Sequence, residues 1–119
     1  MTICIKNLRV RGILGAHEEE RHSEREIIVN LRVEYDPRDA IRSDSLADAV
    51  DYEQIRQRII EVVSAGKFKL LETLADRIVK ELIRDPRLAR LSLEVDKPHA
   101  LRLADSVSVV VSWERSAAG

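Results

Sequence analysis

The chain has 119 residues, 34% of them charged and only 3% aromatic, with 20 Lys and Arg set against 21 Asp and Glu. A net charge of −1 offers no global field to attract nucleic acid or acidic lipid. One Trp, two Tyr and one Phe are too few for a surface that stacks bases. The single cysteine, Cys4, excludes an internal disulfide and a multi-cysteine zinc site. No apolar run approaches the roughly 20 residues of a membrane span, and Lys6, Arg9 and Arg11 interrupt any leader-like pattern at the N-terminus. A cytoplasmic protein with one domain over 1–119 is expected. Its core must be aliphatic, and sharing apolar surface in a symmetric oligomer would supplement it.

Hydrophobic periodicity sets the order of elements. Ile3, Ile5, Leu8 and Val10 alternate with polar residues, with a slip near Asn7, and predict a strand over about Thr2 to Arg11. Gly12 to Gly15 reads as a turn or bulge, and His17-Glu18-Glu19-Glu20-Arg21-His22 as a loop. From Glu26 to Tyr35 the alternation is clean, so this segment forms a hairpin with the first strand. Asp36-Pro37 ends it, and a polar irregular connection runs through Ala40, Asp44 and Asp48. Asp51 then stands as the N-cap of a helix whose stripe is Ile55, Ile59, Val62 and Val63, with Gly66 as its C-cap. A second helix over about Leu70 to Arg84 carries Leu71, Leu74, Ala75, Ile78, Val79 and Leu82, and Asp85-Pro86 stops it. Leu91, Leu93 and Val95 mark a third strand broken by Lys97-Pro98-His99-Ala100, and Val107 to Trp113 a fourth. The tail 116–119 is small, polar and expected to fray. The order ββααββ predicts an α+β fold, an antiparallel sheet with two helices on one face.

Each residue with reactive chemistry also has a plain structural use. Glu18-Glu19-Glu20 suits a solvated turn. Glu72 suits the first turn of a helix. Lys97 suits the end of an edge strand, and Tyr52 suits packing against the core. The three histidines lack zinc-helix spacing, and no glycine pattern forms a phosphate-binding loop or nucleophile elbow. Pattern alone delivers a fold class, not a reaction.

Five segments in order resemble the dihydroneopterin aldolase and dihydroneopterin triphosphate 2′-epimerase family. They are Ile5-Lys6-Asn7-Leu8-Arg9; Gly15 with His17-Glu18-Glu19-Glu20-Arg21; Val50-Asp51-Tyr52; Phe68 with Leu70-Leu71-Glu72-Thr73-Leu74-Ala75; and Asp96-Lys97-Pro98-His99-Ala100-Leu101-Arg102. The resemblance implies the tunnelling fold, in which ββααββ subunits join their sheets into a barrel as a homo-tetramer or homo-octamer with active sites between subunits. It implies a pterin substrate, with no cofactor and no metal. The family's pterin-anchoring glutamate matches Glu72, whose carboxylate would accept two adjacent pterin donors, with the backbone near Leu71 and Thr73 completing recognition. The family tyrosine matches Tyr52, contributed across an interface. The loop glutamate five residues after the turn glycine matches Glu20, and the acid–base lysine before a proline matches Lys97. The implied activity is retro-aldol cleavage of 7,8-dihydroneopterin in tetrahydrofolate synthesis, with epimerase side activity. The alternatives are the 2′-epimerase of the triphosphate and, in another class, a non-catalytic pterin-binding oligomer. Val50-Asp51-Tyr52 and Asp85-Pro86-Arg87 look aldolase-like, whereas Ala104-Asp105-Ser106-Val107-Ser108, Ser112-Trp113 and the Glu18-Glu19-Glu20 run look epimerase-like. Cations available for a triphosphate are Arg21, Arg25, Arg102 and Lys69.

Overall fold

A computed structural model describes residues 1–116, the side chain of Arg21 excepted. The tail expected to fray therefore falls, but for Ser116, outside the described residues. Five strands, β1 (Thr2–Leu14), β2 (Arg25–Tyr35), β3 (Lys67–Phe68), β4 (Leu88–Pro98) and β5 (Ser106–Glu114), form one sheet in the order β3-β1-β2-β4-β5. Helices α1 (Arg38–Ser43), α2 (Tyr52–Ala65) and α3 (Leu71–Leu82) fill the connections. The ββααββ frame holds, with an antiparallel β1-β2-β4-β5 sheet. The two-residue β3 is an addition that no periodicity can reveal, because it is shorter than the window a pattern needs, and α1 supplies the helical turn for which the polar connection through Ala40 leaves room.

Period-two patterning decides which sheet face meets the helices. Ile27, Val29, Leu31 and Val33 of β2 and Leu91, Leu93 and Val95 of β4 are buried. They face Ile55, Ile59 and Val63 of α2 and Leu74, Ala75, Ile78, Val79 and Leu82 of α3 in one core. The opposite face carries Arg32, Glu34, Arg90, Ser92, Glu94 and Ser112 and remains polar. Asp51 caps α2 by accepting from Glu53 N at 2.9 Å, as its position predicts.

Three boundaries differ from the sequence expectation. β1 runs past Gly12, where a turn or bulge is expected, and its one register shift lies between Ile5 and Leu8, at the slip expected near Asn7. Asn7 adopts φ 53, a left-handed conformation that asparagine tolerates better than most residues; its N–H donates to Asn30 Oδ1 at 2.9 Å, and Asn30 Nδ2 donates back to Asn7 Oδ1 at 3.3 Å, which fixes the bulge to β2. Gly12 instead continues the strand, because a Cβ there would lie 2.5 Å from Val63 Cγ1 of α2. Residues Glu18–His22 form a 3-10 turn, not an open loop. Finally, β4 runs through Lys97 to Pro98, which pairs in register with Ser106. A proline is tolerated there because it is the last residue of the strand.

The end of β5 is clamped to the end of α3. Arg115 Nε donates to Leu88 O at 2.9 Å, and Nη2 donates to Ile83 O at 3.1 Å and Asp85 O at 3.0 Å. Its guanidinium lies 4.8 Å from the Trp113 ring centroid. Arg115→Ala strands these carbonyls and is expected to lower unfolding free energy by about 2 kcal/mol, read as a reduced urea midpoint at unchanged slope.

Candidate active site

The acidic run divides once the chain folds. Glu18 and Glu19 stay exposed, as a solvated turn requires, while Glu20 turns inward. The 3-10 turn aims it: Glu20 N donates to His17 O at 3.1 Å, and His17 N donates to Glu20 Oε1 at 3.3 Å. Gly15 makes the space. A Cβ on Gly15 would lie 2.3 Å from Glu20 Cβ and 2.6 Å from its Cδ, so the glycine is there to let the glutamate pass. Gly15 N also donates to Phe68 O at 2.9 Å, which ties this turn to β3 and the entry of α3.

Lys97, carried to the end of β4 on the helix-facing side, meets Glu20 from the other direction. Its Nζ donates to Glu20 Oε2 at 2.5 Å, with the two side chains only 15% and 18% exposed. The Lys97 hydrogen bond is the main reason the Glu20 carboxyl titrates below its ordinary value. Partial burial opposes the shift, and the His17 N–H and the nearby positive charge reinforce it. A depressed carboxylate stabilises the fold above its unfolded value near 4.5, and that contribution disappears as pH falls through the lower folded value. Glu20→Gln should therefore lose stability relative to the parent at pH 7. The difference should shrink in denaturant titrations taken progressively below pH 4.5.

The remaining candidates lie on helix entries. Tyr52 opens α2 and is 59% exposed, so it does not pack on the core as its plain structural use would have it. Glu72 and Thr73 are exposed in the first turn of α3, and Leu71 is half-buried beside them. One chain thus brings Glu20 and Lys97 into contact and leaves Tyr52, Glu72 and Thr73 open to whatever docks against them. Among the described residues, no group of three or more His, Cys, Asp and Glu side chains is placed to hold a metal ion. Adjacent to the Gly15 turn, Ala16, Gly66, Lys67, Phe68, Lys69, Leu70, Thr73 and Arg77 line an open cleft of about 580 Å³. Of the cations proposed from sequence, Lys69 lines this cleft, while Arg25 and Arg102 do not. Lys67 and Arg77 were not anticipated, because the parallel pairing of Lys67 with Ile13 across β3 leaves no trace in local spacing.

The family model for FolB, dihydroneopterin aldolase, matches residues 3–112. The dihydroneopterin triphosphate 2′-epimerase of Escherichia coli K12 is 37% identical over 113 residues, 95% of this chain and 94% of that protein. The dihydroneopterin aldolase of the same strain is 25% identical over 109 residues, covering 92% and 89% of the two chains. The crystal structure of a protein described as a putative dihydroneopterin aldolase from Vibrio cholerae superposes with a TM-score of 0.91 at 28% identity, covering 97% of this chain and 98% of that one. The continuous match from β1 into β5, in sequence and in backbone, places this chain in the dihydroneopterin aldolase (FolB) family, whose members include aldolases and triphosphate 2′-epimerases.

Proposed function

We propose that this chain breaks the C1′–C2′ bond of a 7,8-dihydroneopterin side chain by a retro-aldol reaction. The observation that carries this reading is the half-dry Glu20–Lys97 pair, a proton donor and acceptor held in contact at one end of the sheet. A base removes the 2′-hydroxyl proton, C2′ becomes an aldehyde carbon, and the bonding electrons pass into the N5=C6 bond of the reduced pterin. The resulting enamine is reprotonated at C1′, yielding 6-hydroxymethyl-7,8-dihydropterin and glycolaldehyde. The pterin is its own electron sink, so the step asks only for proton transfer at two positions, which Lys97 and a bound water can supply. Glu20 holds the ammonium in place and accepts from the side-chain hydroxyls. Glu72 accepts two adjacent pterin donors as a bidentate pair, aided by the backbone around Leu71 and Thr73. Tyr52 reaches the bicycle from a neighbouring subunit.

A second reading is favoured by the higher identity to the epimerase than to the aldolase. If the aldehyde fragment turns over and re-adds through its opposite face, C2′ inverts and no carbon leaves. Aldolase and epimerase then differ only in the fate of one intermediate. Incubation with 7,8-dihydroneopterin and with its triphosphate, followed by assay for free aldehyde and inverted triol, separates them. Glycolaldehyde release from dihydroneopterin is the expected result; an inverted triol with no aldehyde would overturn the aldolase reading.

Assembly follows from the sheet's edges. β5 is an outer strand of nine residues without proline or lysine, and Val110 on it is 63% exposed. β1 is paired by β3 only at Ile13 and Leu14, which leaves most of its outer edge open. Such edges call for cover, which in this proposal comes from β5 of one copy joining β1 of the next in a ring, with Tyr52 contributed to a neighbour's site. Light scattering should report a tetramer or octamer. A fully active monomer would contradict a site shared between subunits.

A further inference from the structure

The cleft beside the Gly15 turn is lined by three cations, Lys67, Lys69 and Arg77, together with the Thr73 hydroxyl. Among the described residues, no carboxylate lines it. Among the described residues none of the three forms an ion pair, and Arg77 does no more than lie 6.0 Å from the Phe68 ring centroid. Other surface cations are neutralised locally: Arg9 and Arg11 pair with Glu26 and Glu24, Arg90 with Glu34 and Glu114, and Lys80 with Asp76. In this concavity three cations converge, and none of them is matched in that way.

The cleft is joined to the reacting groups by short covalent steps. Ala16, which lines it, follows Gly15, the residue over which Glu20 lies. Phe68, another lining residue, accepts from Gly15 N through its carbonyl. Thr73, also lining it, follows Glu72, the candidate pterin anchor. A ligand anchored at Glu72 therefore has a cationic cleft beside its anchor, next to the turn over which Glu20 reaches Lys97.

Resting on the proposed retro-aldol reading, we propose that Lys67, Lys69 and Arg77 form a polyphosphate subsite that decides the fate of the cleaved aldehyde. Bond cleavage splits the substrate into a pterin enamine and an aldehyde of two carbons. When the side chain ends in a triphosphate, all of its phosphate charge leaves with the aldehyde fragment. Ammonium and guanidinium groups lining the cleft hold that fragment by charge-assisted hydrogen bonds after the carbon–carbon bond has broken. It then rotates and re-adds with C2′ inverted. Glycolaldehyde itself carries no charge, meets no such restraint and diffuses away. One acid–base pair would then run as an aldolase on the free side chain and as an epimerase on the triphosphate. The bond made on re-addition is the bond broken on cleavage, so no further reactant is needed.

The test is the double variant Lys67→Ala/Lys69→Ala, whose replaced side chains are exposed. Both substrates are assayed for released aldehyde and inverted product, with inorganic tripolyphosphate as the competing probe. For the triphosphate, the ratio of aldehyde released to epimer formed should rise about tenfold. Its kcat/KM relative to that of the free substrate should fall by a similar factor, and inhibition by tripolyphosphate should weaken. An unchanged partition ratio and unchanged tripolyphosphate inhibition in an active variant would overturn the subsite. A parent protein that converts neither substrate would overturn the underlying functional reading instead.

Discussion

Lys97→Ala is expected to reduce turnover of 7,8-dihydroneopterin by about 10²- to 10⁴-fold, the range a positioned acid–base group supplies. Affinity for a pterin product should change little, because recognition of the bicycle is assigned to Glu72 and its neighbours. The replacement has a second consequence. Glu20 is left as a carboxylate only 18% exposed with its cation removed. Its Oε1 still accepts from His17 N, but Oε2 loses its partner, and a half-buried acceptor left unpaired costs about 1–3 kcal/mol of stability. The double variant Glu20→Ala/Lys97→Ala removes both charges and should recover much of that loss while turnover stays down. Equilibrium unfolding and steady-state kinetics on the two variants therefore separate chemistry from folding. Full activity in the single variant would end the assignment of Lys97.

The second large effect is expected at Glu72. Its carboxylate is exposed in the first turn of α3, where a negative charge contributes about 0.3–1 kcal/mol to the helix. Glu72→Ala should accordingly fold almost as well as the parent. Ligand binding should behave otherwise: two pterin donors would lose their acceptor, at about 1–3 kcal/mol each, so affinity should fall about 30-fold or more. Calorimetric titration with a pterin product measures it directly. Glu72→Gln keeps one acceptor oxygen and should lie between the two. Near-normal affinity in the alanine variant would remove the anchor from Glu72 and shift attention to the backbone at Leu71 and Thr73.

The pH dependence of the Glu20–Lys97 pair bears on both experiments. Above the ordinary carboxylate range the pair is intact, and acid removes it only once pH falls through the depressed value of Glu20. Comparisons near neutrality therefore report an assembled pair in the parent protein.

Much of the frame was legible without coordinates. Alternation in β2 and β4 places Val29, Leu31, Val33, Leu91, Leu93 and Val95 on one face, and the helical stripes of α2 and α3 name the residues that cover it. All of these are buried as the pattern requires. Asp51 is legible as a cap because capping is a local competition for the first free N–H groups. Misplaced boundaries fall where a distant element intervenes. Gly12 looks like a turn glycine until Val63 of α2 is packed against it, whereas Gly15 does stand at the turn after β1 and gains a second use only when Glu20 folds across it. Glu18, Glu19 and Glu20 are chemically identical; the family resemblance singles out Glu20 by its offset from Gly15, and the 3-10 turn is what physically turns it inward while the other two face water.

Periodicity reports how one segment is buried, so the sequence by itself determined the elements, their buried faces and, through ordered motifs, the family. Contacts between segments depend on register and on chain path, which no single segment encodes. Tertiary structure alone brought Lys97 to Glu20 across 77 residues. It carried β4 through Lys97 to end at Pro98, and it gathered Lys67, Lys69 and Arg77 around one cleft, with a two-residue strand added to the edge of β1.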